Sequence, residues 1–575
     1  MASSPFDAMR DQRDRATGRI IGSPARRKLI VAGPGTGKTF TFRSALEVAE
    51  GRGLALTFIR NLVRDLSVAL DGLAQVFTFH GYCNHLMHRL SPAGISRSVD
   101  FYAPLLSLIA EDLKFGEHPR LRDEDLERHF QDLDGSDNVL AHALSSGNYY
   151  DAVSFIDVVY RVLRHLQADP SSIPTYALVV VDEYQDFSRL ETAFIAQLAE
   201  RSPVLIAGDD DQALYAFKHA SASYIRELAA HPDYERFPLP FCSRCTQVLV
   251  DAVNSVIETA QRAGHLQGRL EREFRCFLPD KQAGSEAHPQ IIHAHSSVEQ
   301  SRAPYVGRYV AQQIHEIPEA DLQEARERHE PAALITGPKH FVERVHGFLV
   351  GNGFPDAELR RSTRSEPTRL DGYRRIAVDG TSRLGWRVLL HLDPPDDSAG
   401  CVRRALRTNE DLVSLIPGSY RDRHAGVAGL VLRVIGDGRL SAGDQATLED
   451  AVGLSISEIS GALRAPSGQE EEQEGDHPET PPPIICTSLL GAKGLAAQHV
   501  FVVGANNGDF PRNPERITDE EICCLVVALS RARKACHFIS CGRFAGLERQ
   551  TSVFLDWIRP FTLRRDVNRR YWESR

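Results

Sequence analysis

Ala32-Gly33-Pro34-Gly35-Thr36-Gly37-Lys38-Thr39 sets glycines, a lysine and a hydroxyl between the apolar run Lys28-Leu-Ile-Val-Ala32 and a helix-like stretch from Thr39 to Glu50. Strand, loop and helix in that order make a phosphate-binding P-loop. Its glycines let backbone N–H groups curl around a phosphate at the positive end of a helix. Lys38 is then expected to bridge the β- and γ-phosphates of a nucleoside triphosphate, and the Thr39 hydroxyl to hold Mg²⁺. That chemistry needs carboxylates on a neighbouring strand. Leu178-Val-Val-Val-Asp182-Glu183-Tyr184-Gln185-Asp186 supplies them. Asp182 is placed to order Mg²⁺ through its water shell, and Glu183 to orient and deprotonate the attacking water.

Several short apolar runs read as central strands of parallel sheets, namely 28–32, 54–58, 178–182 and 204–208, and later 291–295, 332–336, 484–487 and 500–504. Helix-like patterns separate most of them, which implies doubly wound α/β domains, two of them given the distance between the two sets. Residues 84–174, rich in Leu, His and Asp at helical spacing, read as a helical insertion in the first domain. The acidic, then proline-rich run 468–483 has nothing to bury and reads as a disordered loop. A chain of 575 residues exceeds one compact domain, and 42% apolar residues suffice for proper cores. The longest apolar runs are of core-strand length, far from the ~18 residues that span a bilayer. The ten cysteines are sparse and irregular, as in a reduced cytoplasmic protein. A net charge of −10 argues against a protein coated in basic residues, but a nucleic-acid groove needs only a few cations.

A third segment, Gly208-Asp-Asp-Asp-Gln212-Ala-Leu-Tyr215-Ala-Phe217-Lys218, narrows the reading. With Asp182-Glu-Tyr-Gln-Asp186 it resembles the third and second motifs of the UvrD/Rep-type superfamily 1 helicases. Further elements follow in that family's order. Thr57-Phe58 and Thr78-Phe79-His80 resemble its two DNA-contacting motifs of the first domain. Leu239-Pro-Phe-Cys-Ser-Arg244 is similar to its fourth motif, Ser488-Leu-Leu-Gly-Ala-Lys493-Gly494-Leu495 to its fifth, and Val527-Ala-Leu-Ser-Arg531-Ala-Arg533 to its sixth.

The resemblance implies two RecA-like P-loop domains with helical insertions. The first spans 1–83 and 175–260, interrupted by the insertion 84–174. The second spans 261–384 and 484–560, interrupted by a small insertion at 385–483, and a tail covers 561–575. ATP with Mg²⁺ would lie between the domains, against Ala32 to Thr39 and Gly494. Arg244 and the arginine finger Arg531 would approach the γ-phosphate, and Gln212 would sense it. Single-stranded DNA and its junctions with duplex would meet Thr57, Phe58, Arg60, Thr78, His80, Tyr215, Phe217, Lys218 and Lys493, with Arg64 as a further cation. The expected activity is DNA-dependent ATP hydrolysis driving 3′–5′ movement and unwinding, in repair, replication restart or antiphage defence. The alternative is a regulatory subunit that switches a partner such as a nuclease.

The chain departs from the family pattern at four places. Ala496 stands where the fifth motif has Glu, and Leu490 where it has His. Cys242-Ser243 replaces the usual Asn-Tyr of the fourth. Gln12 lies far upstream of Lys38 for a residue that reads adenine. The second insertion is small, which makes weak or partner-dependent strand separation an expectation. Cys242-Ser-Arg-Cys245, with Cys276 downstream, lacks the second pair of a zinc site and reads as free thiols.

Overall fold

The computed structural model describes residues 5–58, 60–90, 99–115, 121–133, 137–215, 219–299, 304–361, 366–464, 483–544 and 546–574, leaving aside the side chains of 60–62, 123, 137, 298–299 and 304–305. The run 468–483 lies outside them apart from Pro483.

Alternate residues of each apolar run feed opposite sides of a sheet. Leu29, Val31, Leu54, Leu56, Val179 and Val181 pack into one core, while Ile30, Ala32, Ala55 and Val180 pack into another on the opposite face. The strands are β1 Arg27–Ala32, β2 Gly53–Thr57, β3 Ala74–Thr78, β4 Leu178–Val181, β5 Val204–Gly208 and β6 Glu235–Leu239. They run parallel in the order β3-β2-β4-β5-β1-β6. The two that the sequence reading passed over, β3 and β6, are the edges. There one side of the strand has no ladder partner, so a half-polar run and even Pro238 are tolerated.

A second parallel sheet comprises β7 Ile291–Glu299, β8 Ala333–Gly337, β9 Glu358–Arg360, β10 Ile484–Ser488, β11 Ala497–Val503, β12 Ala532–Phe544 and β13 Thr562–Asp566. Its order is β9-β10-β8-β11-β12-β7-β13, with Leu547–Glu548 turning back antiparallel on the end of β12. The charges that open β12 disguised it. Arg533 pairs with Glu330, and Lys534 with Asp321 and Glu324, so both are neutralised by neighbours while the strand continues into the core. Both sheets are RecA-like in having all main strands parallel between helical layers.

Four expected boundaries differ. Helix Gln247–Arg262 packs with helix Asp519–Ser530 in the core of the second sheet, although it was assigned to the first domain. Helices Phe79–Leu90 and Phe155–Ala168, assigned largely to the first insertion, pack on the first sheet. Strand β13 lies in the expected tail. Helix Arg369–Val378 packs on helices Arg383–Leu392 and Gly418–Ile435, so the second helical region begins ahead of 385.

The two helical regions share one core. Tyr102, Leu105, Leu108 and Leu140 of the first meet Trp386, Leu389, Tyr420 and Val431 of the second. Arg387 crosses between them, donating to Asp112 Oδ1 at 2.7 Å and Glu111 Oε2 at 2.9 Å, and Tyr150 donates to the other Asp112 oxygen at 2.7 Å. Arg387→Ala is expected to destabilise the folded chain by about 3–5 kcal/mol, because it strands a buried carboxylate, whereas Arg387→Ala/Asp112→Ala should recover part of that loss. Thermal unfolding of both variants checks it. Equal destabilisation in single and double variants would mean that lost packing, not the charge, is responsible.

Candidate active site

Strand order decides what meets at the carboxyl ends of the first sheet. Because β5 lies between β1 and β4, the loop after β1, Asp182 after β4 and Asp209 after β5 converge on one point. That crevice beyond the strand ends is where open α/β sheets take their ligands.

The loop itself is shaped by its glycines. Gly35 and Gly37 adopt φ of 67° and 91°, and Gly37 starts helix Lys38–Val48 from the left-handed region, which side chains disfavour. Ala32 ends β1, Pro34 is buried, the Thr36 hydroxyl donates to the Gly33 carbonyl at 2.8 Å, and half-buried Thr39 is the helix's second residue. Lys38 Nζ stands 3.0 Å from Glu183 Oε1 and 3.8 Å from Asp182 Oδ1. Burial pushes the Asp182 carboxyl up. Glu183 resists the same burial and is held well below the usual carboxylate range by Lys38 and Lys493. The pair thus separates into one group disposed to a proton or a metal and one firmly ionised.

A chain of hydrogen bonds runs outward from Glu183. Gln185 Nε2 donates to Glu183 Oε2 at 2.6 Å, and Gln185 Oε1 accepts the Asp209 N–H at 2.9 Å. Gln212 Nε2 donates to Asp209 Oδ2 at 2.6 Å, and Gln212 Oε1 accepts from Arg531 Nη2 at 2.9 Å. Arg531 belongs to the second sheet's layer, so the Gln212 amide joins the two sheets. Arg244 arrives from the segment after β6. Ser243 N–H donates to the Gly35 carbonyl at 2.9 Å, and a Cβ on Gly35 would lie 2.4 Å from that of Arg244. Burial and the charge of Arg244 push Arg531 down to about 9. Two guanidiniums that repel one another beside a P-loop are an arrangement that a polyphosphate would relieve, so these residues fit a nucleoside triphosphate. Asp182 and the Thr39 hydroxyl are the groups that would hold its Mg²⁺.

Four residues here had no assigned role in the sequence reading: Gln185, Asp186, Asp209 and Arg272. Arg272 forks Asp209 through Nε at 3.0 Å and Nη2 at 2.9 Å, and Nη2 also reaches Asp211 at 2.9 Å. Arg269 forks Asp211 and Arg226 binds Asp210, so the acidic triplet is held by three arginines. Among the described residues it is the sole cluster with metal-ligand spacing, and its partners make it an ion-pair hub. The run of three acids is visible in the sequence, but Arg269 and Arg272 lie in an irregular segment downstream and carry no motif that ties them to it.

The expected strand contacts divide. Phe58 and Tyr215 lie with ring centroids 5.4 Å apart, and Phe58 is 6.5 Å from His80 and 6.0 Å from Phe187, a half-buried aromatic platform beyond β2. Thr57 is fully buried and offers no exposed hydroxyl. The Thr78 hydroxyl accepts the Gly81 N–H at 3.0 Å, which caps the following helix. Lys493 corrects an expectation outright. It is buried, its ammonium binding Asp186 and the Gln212 carbonyl 3.8 Å from Glu183, so it is closed to a phosphate backbone. Gly494 follows it with φ of 84°. Arg64 is exposed. The Arg60 side chain, Phe217 and Lys218 lie outside the described residues.

Gln12 is on helix Pro5–Gly22, which brings it back across the sheet edge into a cleft of about 780 Å³ lined by Arg15, Arg19, Phe241 and Arg275. Cys242, Cys245 and Cys276 are buried free thiols. Among the described residues no helix is long and apolar enough to cross a membrane.

Residues 19–218 match the family model described as AAA domain. The chain is 28% identical over 306 residues to the ATP-dependent DNA helicase UvrD1 of Mycobacterium tuberculosis, a match covering 43% of this chain and 39% of that one. It is 26% identical over 277 residues to the ATP-dependent DNA helicase PcrA of Bacillus subtilis, covering 40% and 37%. DNA helicase II of Haemophilus influenzae is 23% identical over 634 residues, covering 92% of this chain and 84% of the relative. The chain spans less than two fifths of the length of the UvrD1 and PcrA relatives it matches. By its motifs, their order and the two parallel sheets that carry them, the chain is a relative of the UvrD/Rep-type superfamily 1 helicases.

Proposed function

We propose that the chain is an ATP-dependent DNA helicase or translocase that moves along single-stranded DNA and opens duplex ahead of it. The observation that carries the reading is the Gln212 amide, held between Asp209 and Arg531. Its own segment continues to Tyr215 and the aromatic platform. One side chain therefore links the γ-phosphate groups, the second sheet and the strand-binding surface. Lys38 and the loop amides bind the phosphates, Glu183 takes the proton of the attacking water, and Arg244 and Arg531 stabilise charge on the phosphoryl group. Bound Mg²⁺ would neutralise charge on the β- and γ-oxygens. The bases would stack on Phe58 and Tyr215, at ~1–3 kcal/mol each. The cleft around Gln12 would take the nucleotide's base. Movement in the 3′–5′ sense rests on the resemblance alone.

The second reading is an ATP- and DNA-gated subunit that switches a partner such as a nuclease in repair or antiphage defence. Ala496 and Leu490 favour it, and so does the common core of the two helical regions, which ties the second to the first with buried ion pairs.

Steady-state ATP hydrolysis with and without single-stranded DNA, followed by strand separation on a 3′-tailed duplex, tests both. A motor shows DNA-stimulated hydrolysis and unwinding; stimulated hydrolysis without unwinding supports the gated subunit. Hydrolysis indifferent to DNA would sink the link through Gln212.

A further inference from the structure

The turn Cys242-Ser243-Arg244-Cys245 has a thiol on each side of an arginine that faces the nucleotide loop. Both cysteines are fully buried. The Cys242 sulfur accepts the Cys245 N–H at 3.4 Å. On one side Cys242 Sγ lies 3.3 Å from where a Cβ on Gly35 would stand. On the other, Cys245 Sγ donates to the Ser530 carbonyl at 3.6 Å, one residue before Arg531. The pair thus lies in the seam between the first sheet's P-loop and the second sheet's arginine helix.

We propose that Cys242 and Cys245 form a peroxide-responsive disulfide that pulls Arg244 away from the nucleotide site and so switches hydrolysis off reversibly. The proposal rests on the function proposed above for its consequence; the bond itself does not depend on it. Cys242 is the attacking sulfur. Burial alone would raise its thiol, but the Cys245 N–H and the Arg244 charge hold it below the ordinary value. The neighbouring Cys242 sulfur and burial push Cys245 the other way, as suits a resolving thiol.

The chemistry balances with hydrogen peroxide as oxidant. The Cys242 thiolate attacks one peroxide oxygen, an S–O bond forms as the O–O bond breaks, and the leaving hydroxide takes up the proton that Cys242 gave up, as the first water. Cys245, giving up its proton, then attacks the sulfenic sulfur. The S–S bond forms, the S–O bond breaks, and the leaving hydroxide takes the proton as a second water. Two thiols are oxidised and one peroxide is reduced. The sulfurs must close to ~2.05 Å, and between them the chain is already pressed on Gly35 through Ser243 N–H and the Arg244 Cβ. Drawing the ends of this turn together therefore displaces Arg244 from the loop.

The test treats the full chain with hydrogen peroxide, maps disulfides in non-reduced peptides, and follows ATP hydrolysis and the affinity for a fluorescent ATP analogue before and after dithiothreitol. A Cys242–Cys245 link should appear, with hydrolysis reduced about tenfold or more and restored by dithiothreitol. Cys245→Ser should hydrolyse normally when reduced and keep its rate in peroxide; Cys276→Ser should remain sensitive. A link mapped to Cys276 or to Cys523–Cys524, a Cys242–Cys245 link that leaves both readouts unchanged, or a Cys245→Ser protein as sensitive as the parent would each overturn it. A reduced chain that hydrolyses nothing would overturn the proposed function instead, while the peptide map and the change in analogue affinity still decide the disulfide.

Discussion

Glu183→Gln is expected to leave ATP binding intact and to lower the turnover number by about 10²–10⁴-fold, the ordinary worth of a positioned general base. The substitution keeps the size and one of the two acceptor oxygens that meet Lys38 and Gln185, but removes the negative charge and basicity that would take the water's proton. Glu183 is aimed by a backbone at φ of 55°, uncommon for a side chain, and by Gln185 and Lys38. Lys38 and Lys493 keep it ionised in spite of its burial. Were Lys38 to turn to bound β- and γ-phosphates, part of that attraction would be withdrawn and the carboxylate would become a stronger base. Lys38→Ala should look different. It also loses turnover, but it loses ATP affinity with it, because the same ammonium binds the phosphates. Equilibrium binding of ATP alongside single-turnover hydrolysis separates the two. Retained turnover in Glu183→Gln would remove Glu183 from the role of base, and undiminished ATP affinity in Lys38→Ala would remove Lys38 from the phosphates.

The elements that bury both faces were readable because burial leaves an unbroken apolar run. Strands β1, β4 and β5 and their loops therefore stood out, and with them Lys38, Asp182 and Glu183. Edge strands β3 and β6 were not, since polar residues and Pro238 are compatible with an edge. Strand β12 was hidden by Arg533 and Lys534, whose acidic partners Glu330, Asp321 and Glu324 lie two hundred residues away in the chain. Distance in sequence also hid the hub at Asp209: its neighbour Gln212 carries a motif, whereas Arg269 and Arg272 carry none. Lys493 was misread for a related reason. Its place at the DNA came from the resemblance, and its own segment does not reveal that Asp186, three hundred residues earlier, lies beside it.

Arg531→Ala should lower turnover by about 10³-fold, the lower range for an arginine finger, with a smaller effect on ATP affinity. Arg531 closes helix Asp519–Ser530 and is buried, its guanidinium bonded to the Leu495 and Val527 carbonyls as well as to Gln212. Those carbonyls hold the fork in place, so little has to reorganise as charge develops on the phosphoryl group. Arg531→Lys should not rescue it: an ammonium on a flexible stem cannot keep the carbonyls, Gln212 and a phosphate together. Near-normal turnover per bound ATP in Arg531→Ala would remove the finger. The bond to Gln212 makes a sharper demand. If the amide transmits the state of the phosphate between the sheets, Gln212→Ala and Arg531→Ala disable one unit, and the double variant should be scarcely slower than Arg531→Ala alone. DNA stimulation of hydrolysis should vanish in Gln212→Ala while DNA affinity persists on Phe58 and Tyr215. Fully additive losses in turnover would show that the two residues act apart, and the coupling between sheets would then have to run through Lys493 and Asp186 instead.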